Sequence, residues 1–408
     1  MELPFSVSAL DPHAADDVAS LLLSPAIADP LYAWDGTGRP YPALAASLPD
    51  PAPEGSRIAL RPGLVTSHGR PLDASDVVFS LERAKARGAH PLLAAFGRPR
   101  RVPGDARAIL VPGASPGALA EALASPTAAI VPRTFVAEAP DGTGAFRATR
   151  SDEGFVLERN DAAARGPAFL DRIDVHGSIE LASALRAFEA GDADLGFLGA
   201  GLHRRRAAAV DFRTPALGFV VLRTGPEAGS WSAPGVAERL VSSMDPARFA
   251  HLGLVLGPRG QGDGSWGGAP VDILVDQGSP YLLEVARVVA TVLSRPGHEL
   301  RPAPVSQGDL RRRRGEGRYA LAIDVVRLLG PTPHHTLLSL LAAADPRLSE
   351  RPPNLSPVDT SVVGRMLPLA VLGELVVSGA HAGDVHGLEQ WDLGGVFRDA
   401  PPGAESPH

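Results

Sequence analysis

Hydrophobic and polar positions follow two different periods along the chain. Residues 57–61 alternate polar and apolar side chains, which is the period of a half-buried strand, and the segment ends at Pro62-Gly63. Residues 73–84 carry apolar side chains at helical spacing, and Asp73 and Asp76 at its start predict a capping box. Strand-like and helix-like segments keep alternating, which predicts α/β layers in which helices cover the sheets.

The same two periods predict the other regular elements. We predict strands over residues 3–9, 217–222, 271–275 and 319–326, and helices over residues 16–23, 118–124, 180–190, 236–244 and 281–293. Residues 35–55 are rich in Pro and Gly and predict loops. The chain has 408 residues, more than one core usually holds, so we expect two or more lobes.

Composition and charge exclude several classes of protein. The net charge of -7 argues against a general nucleic-acid binder, which needs a basic surface. The chain has no cysteine, which excludes disulfides and thiolate metal sites, and no run of apolar residues approaches membrane-spanning length. One basic run, Arg311 to Arg314, is interpreted as a solvated loop or helix end, with contact to a partner or an anion as the alternative.

The start of the sequence carries no secretory signal, because Met1-Glu2-Leu3-Pro4 leads directly into the first predicted strand. Two interpretations stay open. Either an export segment has been trimmed, which is the one we favour, or the protein stays inside the cell.

A series of short motifs in a fixed order is the most specific signal in the sequence. The strongest lies within residues 57–82, where Leu60-Arg61-Pro62-Gly63, His68-Gly69-Arg70-Pro71-Leu72 and Ala74-Ser75-Asp76-Val77-Val78-Phe79-Ser80-Leu81-Glu82 follow one another. The others are Leu10-Asp11-Pro12-His13, Asp29-Pro30-Leu31, Pro42-Ala43-Leu44-Ala45-Ala46-Ser47, Ile130-Val131-Pro132-Arg133, Gly142-Thr143-Gly144-Ala145-Phe146, Leu157-Glu158-Arg159-Asn160 and Gly191-Asp192-Ala193-Asp194. We expect residues 68–71 to form a turn, and Gly142 and Gly144 to supply positive φ angles.

These motifs resemble those of the peptide/nickel-type extracellular solute-binding proteins of ABC importers, family 5, the dipeptide- and oligopeptide-binding-like group. The resemblance is strong over about residues 10–200 and thin afterwards. It implies an α/β, two-lobed periplasmic-binding-protein-like fold with an extra subdomain in the first lobe. It also implies capture of a peptide or similar small solute without catalysis or cofactor, a membrane permease as partner, a monomeric state, no nucleic acid, and a periplasmic or cell-envelope location.

The resemblance further implies where the lobes begin and end. We expect lobe I over residues 1–220 with the subdomain at about 40–165, lobe II over 221–384, a return to lobe I over 385–398, and a disordered tail over 399–408. The chain would cross between lobes near residues 217–223 and return near 384–393. Lobes joined in this way can close around a ligand.

The ligand site implied by the family is altered in this chain. Residues 326–333 take the place of a loop with an acidic anchor for a peptide amino group, and Leu329 and Thr332 stand at its acidic positions. Arg223 stands where an Asn is common. We therefore hypothesise that the cleft prefers an anionic or uncharged group, with Arg223 and Arg327 binding a carboxylate. The alternative is that both arginines are surface residues.

Three other residues are ligand-site candidates. Trp231 and Trp266 lie in Gly- and Ser-rich loops, where their rings either line the cleft or cover core. Asp29 replaces the family's usual Glu, and we favour a structural role in a helix or turn over a ligand contact.

Two motifs point to other classes of protein. Gly113-Ala114-Ser115-Pro116-Gly117 matches the nucleophile elbow of serine hydrolases, but Pro116 lacks the amide that an oxyanion hole needs, so we favour a turn. His334-His335 lacks a third metal ligand at a suitable spacing, so we favour a loop pair. A third alternative is a degenerate family member that serves as a scaffold or sensor partner.

Overall fold

The protein is described from a computed structural model that covers residues 1–14, 16–178, 180–197, 209–252, 254, 264–350, 352–353, 355, 358–376, 378–388 and 391–398. The α-helices are α1 (Val18–Leu23), α2 (Ala74–Arg87), α3 (His90–Leu93), α4 (Pro116–Ala122), α5 (Leu181–Ala190), α6 (Val236–Ser242), α7 (Pro280–Leu293), α8 (Gln307–Glu316), α9 (Pro333–Ala344) and α10 (Thr360–Met366). In this part of the chain, no helix combines the length and hydrophobicity needed to cross a bilayer.

The strands are β1 (Glu2–Leu3), β2 (Tyr32–Trp34), β3 (Pro40–Pro42), β4 (Asp50–Ala52), β5 (Gly55–Ala59), β6 (Arg100–Arg101), β7 (Ala108–Pro112), β8 (Phe146–Arg150), β9 (Gly154–Arg159), β10 (Arg172–Gly177), β11 (Leu195–Phe197), β12 (Val210–Arg213), β13 (Gly218–Thr224), β14 (Val271–Asp276), β15 (Leu300–Val305), β16 (Leu321–Arg327), β17 (Leu369–Leu375), β18 (Ser378–His381), β19 (Val385–His386) and β20 (Phe397–Arg398).

Two large mixed sheets form the two lobes. The first-lobe sheet has the order β12-β18-β11-β1-β10-β9-β8, in which β1 runs parallel to β10 and β11. The second-lobe sheet has the order β15-β14-β16-β13-β17, in which β14 runs parallel to both neighbours and β13 antiparallel to both of its own. The two-lobed α/β fold expected from the sequence is confirmed.

The chain passes between the lobes on two adjacent segments. β12 leads into β13 and β17 leads into β18, and the four strands form two antiparallel pairs, β12 with β18 and β13 with β17. The Leu217 amide also donates to the Leu375 carbonyl oxygen at 2.9 Å, which ties the two segments together. The return strand β18 already belongs to the first-lobe sheet, so the chain re-enters that sheet before the predicted boundary at 384. The other predicted domain boundaries stay predictions.

A smaller sheet and its helices form the subdomain. Its strand order is β4-β5-β7-β6, and α2 packs beside it. The expected capping box is present: the Asp73 carboxylate accepts from the amides of Ser75 and Asp76, and the Asp76 carboxylate accepts from the Asp73 amide. The predicted turn before α2 is present as well, with Gly69 at a φ of 74° and the Thr66 amide bonded to the Arg70 carbonyl oxygen.

Apolar packing joins the two main lobes and leaves the subdomain with its own core. One cluster of buried side chains runs from the first-lobe sheet to the second and includes Leu3, Phe5, Val275 and Tyr281. The rings of Phe5 and Tyr281 meet edge to face with centroids 6.1 Å apart. A second cluster fills the subdomain and reaches Leu329 of the second lobe. The second lobe is therefore in contact with both the first lobe and the subdomain.

Several expectations from the sequence were wrong in detail. The first strand covers Glu2–Leu3 and not residues 3–9, and residues 35–55 contain β3 and β4. Gly142 and Gly144 do not have positive φ angles. They are needed because an added Cβ would lie 2.3 Å from the Ile27 carbonyl oxygen at Gly142 and 2.5 Å from the Ala26 carbonyl oxygen at Gly144. The predicted disordered tail, residues 399–408, lies outside the described residues.

Candidate functional site

A cleft of about 560 Å³ opens where the first lobe, the subdomain and the second lobe meet. Its residues are Ala14 and Asp16 from the first lobe, Ala86, Arg87, Gly88, His90 and Pro91 from the subdomain, and Arg223, Arg311, Arg314, Gly315, Tyr319, Val325, Val326, Arg327, Leu329, Ser339, Ala342, Ala343, Ala344 and Pro346 from the second lobe. The volume lies within the range of about 300–1,000 Å³ that is usual for small-molecule sites.

Arg327 stands at the end of β16 and reaches across the cleft to the first lobe. Its Nη1 donates to the carbonyl oxygens of Pro12 at 2.9 Å and Ala14 at 3.5 Å. The residue is 5% exposed, and within the described part of the chain no carboxylate lies at ion-pair distance from it. Burial lowers the pKa of the Arg327 guanidinium to about 10, so it stays charged at neutral pH at a cost in desolvation.

Arg223, the second predicted cleft arginine, is already neutralised. Its Nε donates to both carboxylate oxygens of Asp324 at 3.0 and 2.9 Å, and its Nη1 donates to the Ala343 carbonyl oxygen at 2.5 Å. Asp324 is opposite Val221 in the register of β13 and β16, which puts its side chain on the same face as Arg223. Arg223 therefore has a carboxylate partner, which it shares with Arg314, whereas the hydrogen bonds of Arg327 go to carbonyl oxygens.

A chain of alternating charges lines one wall of the cleft and links the lobes. Arg314 contacts Asp324 and, at 3.4 Å, Asp16 of the first lobe. Arg311 forms a bidentate pair with Asp16, with Nε and Nη2 at 3.0 and 2.7 Å from Oδ1. These arginines hold the pKa of the Asp16 carboxyl below its usual value despite the opposing effect of burial. Asp16 is thus an ionised first-lobe group that bonds to the second lobe.

The basic run is split between two environments by the period of α8. Arg311 and Arg314, three residues apart, face the cleft and are paired with Asp16. Arg312 and Arg313 do not line the cleft and pair with Asp309 one turn earlier. The run lies at a helix end, as one of the expectations had it, but Arg314 is only 22% exposed and contacts Asp16 and Asp324.

Behind the cleft, a buried network fixes the segment that carries Pro12. Asp11 accepts two hydrogen bonds of 2.7 Å from Arg83 and one of 2.9 Å from Arg87. His13 contacts Arg83 Nη1 through Nδ1 at 2.7 Å and the Ala129 carbonyl oxygen through Nε2 at 2.8 Å. A guanidinium nitrogen can only donate a hydrogen bond, and a carbonyl oxygen can only accept one. Nδ1 of His13 therefore accepts and Nε2 donates, so the imidazole is neutral. This network holds the Pro12 carbonyl in reach of Arg327.

The charges of the cleft sum to an excess of cations. The cleft-lining arginines are Arg87, Arg223, Arg311, Arg314 and Arg327, and the carboxylates bonded to them are Asp11, Asp16 and Asp324. Asp11 is shared with Arg83, and the carboxyl of Asp17, which is outside the lining, also acts electrostatically on Arg311 and Arg327. Among these arginines, Arg327 has no carboxylate at ion-pair distance within the described residues.

The remaining candidate residues do not line this cleft. Trp266 is fully buried, its Nε1 donates to the Ala269 carbonyl oxygen at 2.8 Å, and its ring packs against Trp231 with centroids 4.8 Å apart. The Arg239 guanidinium lies 5.0 Å from the centre of the Trp231 ring. Both tryptophans pack against the main core, so the structure supports the alternative in which they cover core.

Asp29 is a buried structural residue. It is 3% exposed, accepts a hydrogen bond of 3.0 Å from Thr143 Oγ1 and lies 3.8 Å from Arg165. Burial raises the pKa of its carboxyl. It therefore anchors the loop that carries Thr143 and does not face the cleft.

The two motifs of other protein classes occupy helix starts. Ser115 follows β7 and precedes α4 with an extended backbone (φ −79°, ψ 149°), so the strained turn of a nucleophile elbow is not formed there. His334 and His335 lie in the first turn of α9 and not in a loop. His335 is buried, bonds through Nδ1 to Thr332 Oγ1 at 2.8 Å and meets the Trp34 ring edge to face. No cluster of potential metal ligands is found among the described residues.

Sequence reasoning did not assign Asp16, Arg87, Arg311 or Arg314 to the cleft. A signal for Arg311 and Arg314 was present, because their spacing of three residues is that of one helix face. No local pattern could reveal Asp16, since its partners lie 295 and 298 residues away.

Comparison with known proteins gives a match to one family model and to many solved structures. Residues 39–209 match the model described as bacterial extracellular solute-binding proteins, family 5 middle. No curated protein matches the chain by sequence.

Three solved structures illustrate the similarity of fold. NikA from Brucella suis, in complex with Fe(III)-EDTA, is 15% identical with a TM-score of 0.69, and the alignment covers 98% of this chain and 100% of that one. AgaA from A. tumefaciens R10, in complex with agropinic acid, is 16% identical with a TM-score of 0.74, covering 98% of each chain. The oligopeptide-binding protein AppA from Bacillus subtilis, in complex with a nonapeptide, is 14% identical with a TM-score of 0.74, covering 98% of this chain and 99% of that one.

The matched segment contains the ordered motifs from Pro42 to Asp194, and the fold of the whole chain agrees with it. Residues 39–209 therefore resemble the bacterial extracellular solute-binding proteins of family 5, and the whole chain shares the fold of the solved structures above.

Proposed function

We propose that this protein is the solute-binding component of an ABC importer and that it holds a small anionic solute between its lobes. The observation that carries the proposal is Arg327, a buried guanidinium that lines the cleft and has no carboxylate partner within the described residues. A ligand carboxylate would supply the missing charge, and a charge-assisted hydrogen bond in a desolvated site is stronger than a neutral one. Arg223 then has a supporting role through Asp324.

Closure of the lobes fits the way in which the chain connects them. The lobes are joined by two adjacent segments and by the contact of Asp16 with α8, so a rotation about these segments changes the cleft without breaking either sheet. A ligand that contacts both lobes binds the closed form more tightly than the open form. Arg327 already bridges the lobes through Pro12 and is suited to sense such a ligand.

The setting of the protein follows from the same proposal. Family 5 is named for extracellular proteins, and we propose a periplasmic or cell-envelope location and a membrane permease as the partner that receives the solute. Related folds hold a nonapeptide, agropinic acid and Fe(III)-EDTA, which supports the view that acids as well as peptides fit this architecture. We propose binding without turnover as a monomer.

Isothermal titration tests the proposal. The full chain is titrated with a panel of short peptides rich in Asp and Glu, neutral peptides, basic peptides and small carboxylic acids. Binding of acidic members and weaker binding of basic ones is expected, and Arg327→Gln should lower the affinity for an acid about 10- to 100-fold, the loss of one hydrogen bond to a charged group. Arg318→Gln removes a cation that is 66% exposed and paired with Glu316, and should leave the affinity unchanged. Tight binding of basic peptides contradicts the proposal.

A second candidate function has one observation in its favour. Asp16 and Asp324 already form ion pairs with Arg311, Arg314 and Arg223 inside the cleft. A family member that has lost transport and serves as a scaffold or sensor partner would show such internal pairing. It predicts that none of the solutes in the panel binds, whereas the transport proposal requires at least one acid that does.

A further inference from the structure

A second cavity, of about 290 Å³, lies in the subdomain and shares no residue with the cleft. It is enclosed by α2, α4, β7 and the loop over residues 94–99. Its residues are Leu81, Glu82, Lys85, Leu93, Phe96, Gly97, Arg98, Pro99, Val111, Leu119 and Leu123. The walls are thus formed by aliphatic side chains and one aromatic ring, and all the charged groups are on α2 or the loop.

The cavity is preformed because its loop is fixed to the sheet. The Gly97 amide donates to the Pro112 carbonyl oxygen at 2.9 Å, and a Cβ at Gly97 would lie 2.8 Å from Pro112 Cβ. Because Gly97 lies this close to Pro112, its chain neighbours Phe96 and Arg98 are held in position. The opposite wall is equally fixed, since Leu119 and Leu123 are fully buried. A ligand would therefore meet a shaped apolar space without first ordering it.

One cation at the mouth of the cavity is not part of an ion pair within the described residues. Arg98 is held by Glu82 through its Nε, so this pair is internally neutral. Lys85 is on the same face of α2 as Leu81 and Glu82, and within the residues that the structure describes no carboxylate lies at ion-pair distance from it. Lys85 is also the only lysine in a sequence whose other basic side chains are arginines and histidines.

We propose that this cavity binds a single-chain carboxylic acid, with the acyl chain between α2 and α4 and the carboxylate on Lys85. Apolar walls account for the chain, because the burial of each CH₂ group away from water is favourable. The uncompensated ammonium accounts for the carboxylate, because one charge-assisted contact at the mouth fixes the orientation of the molecule. The site goes beyond the proposed solute capture, since no part of it belongs to the cleft between the lobes.

Titration of the full chain with octanoate, kept below the concentration at which it forms micelles, tests the proposal. Octanoate should bind and should bind more tightly than octanol. Phe96→Trp, which fills the cavity from its partly exposed side, should abolish binding. Lys85→Met should lower octanoate affinity about tenfold and remove the preference over octanol, because it deletes one partly exposed ionic hydrogen bond. The matched control Arg301→Met, at an exposed cation of the second lobe, should have no effect.

The single lysine provides an independent readout. An amine-reactive label can modify only Lys85 and the chain's α-amino group, so octanoate should protect Lys85 while labelling of the α-amino group stays constant. Arg327→Gln should leave this protection unchanged, which separates the cavity from the cleft. The proposal is overturned if octanoate does not protect Lys85, or if it binds Phe96→Trp and the unmodified protein equally well.

Discussion

At the scale of single residues, His13 ends one of the short sequence motifs and is a fully buried structural group. Its ring is held neutral between the guanidinium of Arg83 and the Ala129 carbonyl oxygen. Burial, together with the positive charge of Arg83, lowers the pKa of the imidazole to about 4 from its usual 6.5. Protonation of His13 at low pH should therefore destabilise the segment that supports the cleft.

The free energy of unfolding should fall as the pH is lowered from about 6.5 toward 4. Because the folded pKa of His13 is the lower one, the unfolded chain binds more protons in this range, and the stabilisation is complete above 6.5 and lost toward 4. The shift corresponds to about 3 kcal/mol for His13. His335, with a pKa also lowered to about 4 by burial, adds to the slope.

Urea unfolding at a series of pH values measures this slope. His13→Asn should reduce the slope, whereas His251→Asn, at an exposed position, should leave it as it is. An unchanged slope in the His13 variant would show that the ring is not the titrating group.

A second prediction at the residue scale concerns the close packing of Gly144. Gly144→Ala places a Cβ 2.5 Å from the Ala26 carbonyl oxygen, and since this is backbone, the loop must move. The expected loss of stability is about 1–3 kcal/mol. Gly117→Ala is the matched control in α4, where nothing lies within 4 Å of the new Cβ, and it should be neutral or slightly stabilising. Equal thermal shifts of the two variants would contradict the role of close packing at Gly144.

At the scale of elements, α8 divides a run of like charges between the cleft and solvent. Arg314 is 22% exposed and bridges Asp16 and Asp324, while Arg312 is 61% exposed and pairs only with Asp309. Removing Arg314 takes one cation from the buried Asp324 and the half-buried Asp16, whereas removing Arg312 breaks a surface pair. Chemical unfolding should therefore show a loss of about 1–3 kcal/mol for Arg314→Gln and of less than about 1 kcal/mol for Arg312→Gln. Similar losses in both would contradict the assignment of faces.

Elements of strong local pattern were predictable from the sequence, and α2 is the clearest case. Its capping box, apolar face and preceding turn are all local, and each is found in the structure. Strand β1 was predicted too long, because the alternation after Leu3 reflects burial of Phe5 and Val7 outside any ladder. Within the site, Arg327 was predictable from its position in a motif. The pairing of Arg223 with Asp324 was not, because it depends on the register of two strands. The pairing of Asp16 with α8 was not predictable either, because it depends on how the lobes come together.

At the scale of the whole molecule, three polar contacts join different bodies across the cleft, in addition to the apolar core that the two main lobes share. The bond from Asp16 to Arg311, the bond from Arg327 to Pro12 and the contact of His90 with Glu350 at 3.5 Å each join different bodies. Among these, only the pair of Asp16 with α8 joins a carboxylate to two arginines, so it should contribute most to the closed form.

Asp16→Asn should open the cleft. The amide keeps the size of the side chain but loses the charge that attracts Arg311 and Arg314, so the radius of gyration in small-angle scattering should rise relative to the unmodified protein. Asp309→Asn, which removes a carboxylate that pairs within α8, is the control and should leave the radius unchanged. A radius that does not respond to the first variant would mean that apolar packing alone holds the lobes together.

Small-angle scattering of the unmodified protein, with and without the acid that binds most tightly in the titration panel, tests the central claim most directly. The claim predicts a smaller radius of gyration on addition of the acid, and no such change in Arg327→Gln at the same concentration. A radius that stays constant across the whole panel, or a contraction that persists in Arg327→Gln, would contradict the capture of an anionic solute at Arg327.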